Sequence, residues 1–223
     1  MQAPGRKGLA REQSLTNVHG WRRHSALERA ARDLGVSLDA DLRRHVVREQ
    51  LRMVLLHTRL GTLAATAFAV MLVVQLNGSV PAWQLQGWLA VKLAVALARI
   101  GLAQAYARWG EGSPRQARWD HALLALLALD GLVWGAAAWR LTGEPVPVAA
   151  LAVAALDGVS CIATFGLQVR LAATAAYVVP ILLPMTVGLA LRSDDIAHFA
   201  AAGQLLLLAL LLATSRATSQ RLA

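Results

Sequence analysis

The sequence has few charged residues and almost no cysteine. Only 16% of its 223 residues are Asp, Glu, Lys or Arg, whereas soluble domains have about 25%. The one cysteine, Cys161, cannot form an intrachain disulfide, and no Cys/His spacing resembles a zinc or c-type haem motif. These shortages argue against a secreted disulfide scaffold and a soluble enzyme. They also lead us to expect no metal and no cofactor.

The charge that is present is concentrated at one end of the chain. Residues 1–52 carry half of the 22 Lys and Arg residues, and the remainder is dominated by apolar residues, which make up 57% of the whole. The formal net charge of +9 would suit a nucleic-acid ligand. In a membrane protein, however, Lys and Arg collect in cytoplasmic segments for topological reasons, so no nucleic-acid partner is expected.

Residues 1–52 predict a basic, helical, cytoplasmic arm. Ser25 and Glu28 fit a capping box, and Gly35 stands where a glycine would end the helix. The arm has two interpretations, a partner-binding or dimerising element and a juxtamembrane helix that rests on anionic lipid headgroups. We favour the second, because a basic amphipathic helix next to a membrane span is typical of that role.

Residues 53–216 predict a domain of six transmembrane helices. A span needs about 20 apolar residues. Six stretches meet this requirement, at 54–76, 86–107, 119–140, 146–168, 171–191 and 196–215. Tryptophans near the predicted edges suit an aromatic belt: Trp83, Trp88, Trp109, Trp119 and Trp139. The predicted fold is therefore all-α, an integral membrane bundle of six helices, with residues 217–223 beginning a cytoplasmic helix.

The distribution of basic residues predicts the orientation of this bundle. With the N-terminus inside, 18 Lys and Arg residues fall in cytoplasmic segments and only Arg140 and Arg192 fall in outside loops. This asymmetry predicts that both ends face the cytoplasm. The outside loops are too short for a ligand-binding domain, so we expect any ligand to come from the membrane or from its surface.

Four ionisable residues lie well inside the predicted spans: Lys92, Arg99, Asp130 and Asp157. Each costs about 2.5–3.5 kcal/mol at the bilayer centre, so such residues usually face a bundle interior and pair. Arg99, Asp130 and Asp157 lie close to the midpoints of spans two, three and four. We therefore predict one buried polar cluster formed by these three spans. Lys92 lies about 10 Å nearer the outside and is expected to pair with an aspartate or to line an outward cavity.

The cluster has several possible roles. It could only lock helix packing, it could act in sensing or gating, or it could carry protons, although a proton path normally needs a longer chain of such groups. Paired aspartates also suggest an intramembrane aspartyl protease. That interpretation is disfavoured, because a nearby arginine would keep both carboxylates ionised and the expected glycine-x-glycine-aspartate motif is missing.

Three further features concern a cofactor and packing. His57 and His121 lie near cytoplasmic span ends and could ligate one haem, but histidines at such boundaries are more often solvated. The spacing of Gly131 and Gly135 allows close helix approach. Pro180 and Pro184 lie one turn apart in span five and are expected to kink or locally unwind it.

The order of landmarks resembles the multi-spanning N-terminal sensor regions of bacterial membrane signalling proteins. These regions precede histidine-kinase or diguanylate-cyclase/phosphodiesterase output domains. The shared landmarks cover residues 46–221 and comprise Arg48-Glu-Gln50, Trp88-Leu89, Ala98-Arg99, Tyr106, Arg118-Trp119, Trp134-Gly135, Pro180, Pro184 and the terminal run Ser215-Arg216-Ala217-Thr218-Ser219-Gln220-Arg221. Asp130 and Asp157 do not belong to that pattern.

The resemblance implies a sensor and transducer module in the bacterial inner membrane. Such a module would contact membrane lipid, form a homodimer and relay a membrane or small-molecule stimulus to a cytoplasmic output domain or partner protein. The residues carry no kinase histidine motif, nucleotide-binding glycine pattern or cyclase signature, so no enzyme activity is expected within them. The alternative is a small transporter or channel-like protein that uses the intramembrane charges on its path.

Overall fold

The computed structural model describes residues 48–55, 61–110, 113 and 116–221. Of the predicted N-terminal arm, only residues 48–52 fall in these ranges, and residues 48–55 are helical. The predicted capping box at Ser25 and Glu28, the stop at Gly35 and the candidate haem ligand His57 lie outside the described residues.

The described part of the chain is all-α and contains no β-strand. Its principal helices are α1 (Gly61–Leu76), α2 (Ala82–Trp109), α3 (Gln116–Leu141), α4 (Val146–Leu167), α5 (Leu171–Ala190) and α6 (Asp195–Arg221). The helices α2 to α6 are five candidate membrane spans by length and hydropathy, which supports a multi-pass membrane bundle. The predicted span at 54–76 includes residues outside the described ranges, so a sixth span stays a prediction.

Short connections set the order of neighbouring helices. Gly78, with φ of 94°, takes the left-handed conformation in the turn between α1 and α2, a conformation that glycine adopts without steric cost. Asp194 caps the N-terminus of α6, because its carboxylate accepts a hydrogen bond of 2.8 Å from the backbone N–H of Ala197. Arg192 also pairs with Asp194 and thereby lowers the pKa of this carboxyl below its ordinary value.

The helix α5 lies at the centre of the bundle. It packs most extensively against α3, then against α6 and α4, while α2 packs mainly against α3. Its buried side chains include Tyr177, Val178, Ile181, Leu182 and Met185. A change in the position of α5 would therefore alter its packing against three other candidate spans, α3, α4 and α6.

The close packing of α3 on α5 depends on two glycines. A Cβ atom at Gly131 would lie 2.5 Å from the backbone oxygen of Tyr177, and one at Gly135 would overlap the carbonyl oxygen of Pro180. Pro184 has no N–H, so the Pro180 carbonyl lacks its usual partner four residues later and is free to face Gly135. The glycine pair and the proline pair, which the sequence presents separately, thus form one interface.

The two prolines do not end α5. The helix continues through both from Leu171 to Ala190, so the structure shows no local unwinding there. In a membrane bundle, a neighbouring helix can accommodate a carbonyl group that has lost its partner within its own helix. The close approach of the Pro180 carbonyl oxygen to Gly135 is an example. A kink at Pro180 and Pro184 stays a prediction.

Replacing Gly135 by alanine is expected to lower the free energy of unfolding by about 1–3 kcal/mol, because the added methyl group overpacks the α3–α5 contact. Gly101→Ala is the matched control, since no atom lies within 4 Å of a Cβ at that position. The control is expected to lose no stability, because alanine favours helix over glycine. Denaturant titration of the purified proteins in detergent, followed by circular dichroism, measures both changes. Equal stabilities of the two variants would contradict the packing described.

Candidate functional site

Three charged side chains meet in the interior of the bundle. The Nζ atom of Lys92 lies 2.7 Å from Oδ1 of Asp130, and Nη1 of Arg99 lies 2.5 Å from Oδ2 of the same carboxylate. Lys92 and Asp130 are fully buried, and Arg99 is 6% exposed. One carboxylate therefore holds two cations, one on each oxygen. We call Lys92, Arg99 and Asp130 the ion cluster.

The positions of these residues along their helices explain the arrangement. Lys92 and Arg99 are seven residues apart, which places them on one face of α2 at heights that differ by about 10 Å. That face also carries the buried residues Val95, Ala96 and Ala103, and it is directed to the interior. Asp130 lies midway along α3. The long side chains of Lys92 and Arg99 reach it from opposite directions.

Aromatic side chains surround the ion cluster. The ammonium of Lys92 lies 5.7 Å from the centre of the Trp134 ring, and the guanidinium carbon of Arg99 lies 5.4 Å from the centre of the Tyr177 ring. Trp88 packs edge-on against Trp134 and donates a hydrogen bond of 2.9 Å to the carbonyl of Val133. Cation–π contacts of desolvated cations contribute about 2 kcal/mol. The aromatic rings thus replace part of the hydration that the cations lose.

The site extends to a third helix through Tyr177. This residue is on α5, is almost fully buried and stands one turn before Pro180. Sequence reasoning did not select it, although it is one of only two tyrosines in the chain and lies inside an apolar span. Trp88 and Trp119 were also expected in the aromatic belt, and both are half-buried, packing edge-on against Trp134 and Tyr106 respectively. Trp83, Trp109 and Trp139 are exposed.

The charges of the ion cluster do not balance. Among the residues that the structure describes, two formal positive charges face one negative charge, which leaves a formal surplus of one positive charge. Burying an ion costs several kcal/mol unless it is paired and hydrogen-bonded. The Nε atom of Arg99, the hydroxyl of Tyr177 and the indole N–H of Trp134 lie near one another. None of them makes a hydrogen bond of good geometry among the residues that the structure describes.

Asp157 does not belong to the ion cluster, contrary to the sequence-based expectation. Its Oδ1 atom accepts a hydrogen bond of 2.7 Å from Nε2 of Gln204, which joins α4 to α6. Within the described ranges, no ion pair connects Asp157 to Lys92 or Arg99. The prediction matched residues by depth in the membrane, but depth does not determine the direction in which a side chain leaves its helix. The face of α4 that carries Asp157 is directed to α6.

Polar contacts also join the ends of the helices. The guanidinium of Arg170 makes a two-pronged ion pair with Asp120, linking the start of α5 to the start of α3. At the opposite end, Arg192 donates hydrogen bonds of 2.7 and 2.8 Å to the carbonyl oxygens of Thr142 and Glu144. These contacts hold α3, α4 and α5 in place around the ion cluster.

The described residues offer little for a metal or haem. They contain no group of three or more His, Cys, Asp or Glu side chains placed to hold a metal ion. His121 lies on an exposed face of α3. Its proposed partner in haem ligation, His57, is outside the described residues.

Comparison with protein-family models, with curated proteins and with solved structures gave no match. The ion cluster and the helices that carry it are therefore the basis for the proposed function. The resemblance to bacterial sensor regions stays a prediction.

Asp130→Asn is expected to destabilise the protein by about 3–5 kcal/mol, because it leaves two buried cations without a counter-charge. Asp157→Asn is the matched control, since its amide oxygen can still accept the hydrogen bond of Gln204 and no cation depends on it. The control is expected to lose less than about 1 kcal/mol. Unfolding in detergent, followed by circular dichroism, measures both. A larger loss in the Asp157 variant would be inconsistent with the charge distribution described.

Proposed function

We propose that this chain is a sensor and transducer module of the bacterial inner membrane. A stimulus within the bilayer or at its surface changes the packing around the ion cluster, and α6 carries the change to a cytoplasmic output. The observation that carries the proposal is a pair of buried contacts one turn apart on α5, that of Tyr177 with Arg99 of the ion cluster and that of Thr174 with Ser215 near the polar end of α6.

The first of these contacts is that of Arg99 with Tyr177 of α5. Thr174 lies three residues before Tyr177, on the same face of the helix. Its hydroxyl group is 2.9 Å from the hydroxyl of Ser215 on α6, and both residues are fully buried. A displacement of Tyr177 would therefore reach α6 within one turn of α5.

The second element of the proposal is α6 itself. It is a continuous helix of 27 residues, which corresponds to about 40 Å and exceeds the hydrocarbon thickness of about 30 Å. Its last two turns contain the polar residues Ser215, Arg216, Ser219 and Arg221. A helix that continues out of the bilayer without a break can transmit a rotation or a shift to a cytoplasmic partner.

The polar contacts that hold α6 are weak enough to be rearranged. They are the bond of Gln204 to Asp157 and the contacts of Ser215 with Thr174 and with the carbonyl of Gln168. Hydrogen bonds between membrane helices average about 0.6 kcal/mol. A ligand needs only a modest difference in affinity for two arrangements to shift their populations, although equal affinity would shift nothing.

The proposed output follows the resemblance to bacterial sensor regions. We propose a homodimer whose cytoplasmic helices regulate a histidine kinase or a cyclic-di-GMP enzyme, with both ends of the chain in the cytoplasm. The surplus of basic residues in the predicted cytoplasmic segments supports this orientation.

The orientation predicts opposite labelling of two engineered cysteines. In a Cys161→Ser background, Ser193→Cys between α5 and α6 is expected to react with a membrane-impermeant maleimide in spheroplasts. Ala217→Cys at the end of α6 is expected to react only after the membrane is permeabilised. Both positions are exposed in the fold, so accessibility alone does not separate them. The reverse labelling pattern would contradict the orientation.

Transduction predicts that a change at the ion cluster alters α6. A nitroxide label at Ala217→Cys, in the Cys161→Ser background, reports the mobility of the helix end in vesicles. Lys92→Met is expected to change its spectrum, because Asp130 then pairs with Arg99 alone. Arg140→Gln, which removes an exposed pair with Glu144, is the control and is expected to change nothing.

Two results would contradict the proposed function. One is a spectrum that is identical in the wild type and in Lys92→Met. The other is an ion flux in proteoliposomes that exceeds that of empty vesicles and is lost in Lys92→Met, which would favour the transporter alternative.

A further inference from the structure

A cavity of about 560 Å³ lies beside the ion cluster, between α1, α2, α4 and α5. Its volume is within the range of about 300–1,000 Å³ that is typical of small-molecule sites. The wall is mostly apolar, and its lining includes Gly61, Ala64, Arg99, Ile162, Phe165 and Tyr177. Arg99 and Tyr177, whose contact is part of the proposed function, thus also line the cavity.

The cavity reaches the outer surface of the bundle. Phe165, on its α4 side, is 76% exposed, and Ile162 is also exposed. On a transmembrane helix such a surface faces the acyl chains of the bilayer. A hydrophobic molecule could therefore enter sideways from the membrane without passing through water.

The inner end of the cavity offers hydrogen-bond donors. Arg99 and Tyr177 are each more than nine-tenths buried and lie against each other. Neither the Nε–H of Arg99 nor the hydroxyl of Tyr177 makes a hydrogen bond of good geometry within the described part of the chain. A buried donor without a partner costs about 1–3 kcal/mol. A ligand with an acceptor group at this end would recover that free energy.

The charge of the site selects the kind of acceptor. The ion cluster carries a formal surplus of one positive charge, because Asp130 is the one carboxylate among the described residues that pairs with Lys92 and Arg99. A water molecule would satisfy the donors but would leave this charge unbalanced. An anionic head would do both, and it would form a charge-assisted hydrogen bond with the guanidinium.

We infer that the cavity binds a hydrophobic acid with a single chain, whose carboxylate contacts Arg99 and Tyr177 and whose chain lies along the apolar wall. The proposed binding site does not depend on the proposed function. Only the consequence of binding rests on that function. That consequence follows from Arg99, which would be shared between the ligand and Asp130, so that binding alters the ion cluster.

The depth of the site favours a free acid over a phospholipid. Tyr177 lies six residues into α5, which is about 9 Å along the helix from its first residue. A phospholipid headgroup remains at the membrane surface and would have to leave it to reach this depth. The carboxylate of a fatty acid is smaller and is shielded by the aromatic walls.

The test is equilibrium binding of radiolabelled palmitate to the full chain in nanodiscs of phosphatidylcholine. We expect saturable binding that unlabelled palmitate displaces and that methyl palmitate, the matched neutral ester, displaces at least tenfold less well. Arg99→Gln is expected to weaken binding at least tenfold, whereas Arg140→Gln, at an exposed arginine, leaves it unchanged. Ala64→Phe fills the cavity without altering a charge and is likewise expected to abolish binding, which keeps the test valid if Arg99→Gln misfolds.

Several outcomes would overturn the inference. They are displacement by the methyl ester equal to that by palmitate, and binding that survives Ala64→Phe. Loss of palmitate binding in phosphatidylglycerol nanodiscs would assign the site to a lipid headgroup and would also overturn it. If palmitate binds as expected but leaves the spectrum of the label at Ala217→Cys unchanged, the site stands and the proposed function fails.

Discussion

The structure depends on one carboxylate that holds two cations away from water. Asp130 joins α2 to α3 through Lys92 and Arg99, at a depth where each isolated charge would cost several kcal/mol. Loss of Asp130 is strongly unfavourable, because it leaves two buried cations without a counter-charge. The aromatic rings of Trp134 and Tyr177 stabilise the cations from the other side. The cluster therefore fixes how α2, α3 and α5 face one another.

The second constraint is the close contact of α3 with α5. Gly131 and Gly135 let the backbone of α3 approach Tyr177 and Pro180 so closely that no side chain fits between them. The same stretch of α5 forms a wall of the ion cluster and, through Thr174, contacts α6. A rigid interface thus lies next to an arrangement of charges that one additional anion would change. This combination is the basis of the proposed role in transduction.

Part of this arrangement could be predicted from the sequence. The five spans α2 to α6 follow from the length of the apolar stretches, since a helix must be long enough to cross the bilayer. The meeting of Arg99 with Asp130 follows from their similar depths. Depth could not assign Asp157, which faces Gln204 instead, because the direction of a side chain depends on how each helix is rotated. Tyr177 was missed for the same reason, as its role requires knowing that α5 packs on α3.

The central claim is that Asp130 is ionised inside the bundle and paired with both cations. Infrared spectroscopy of protein with ¹³C-labelled aspartate, as the difference between wild type and Asp130→Asn, tests this most directly. Asp130→Asn is expected to lose carboxylate stretching bands that the wild type shows, and the same bands are expected at shifted positions in Lys92→Met. A lost band at the position of a protonated carboxylic acid would contradict it, because a neutral Asp130 could not hold the two cations together.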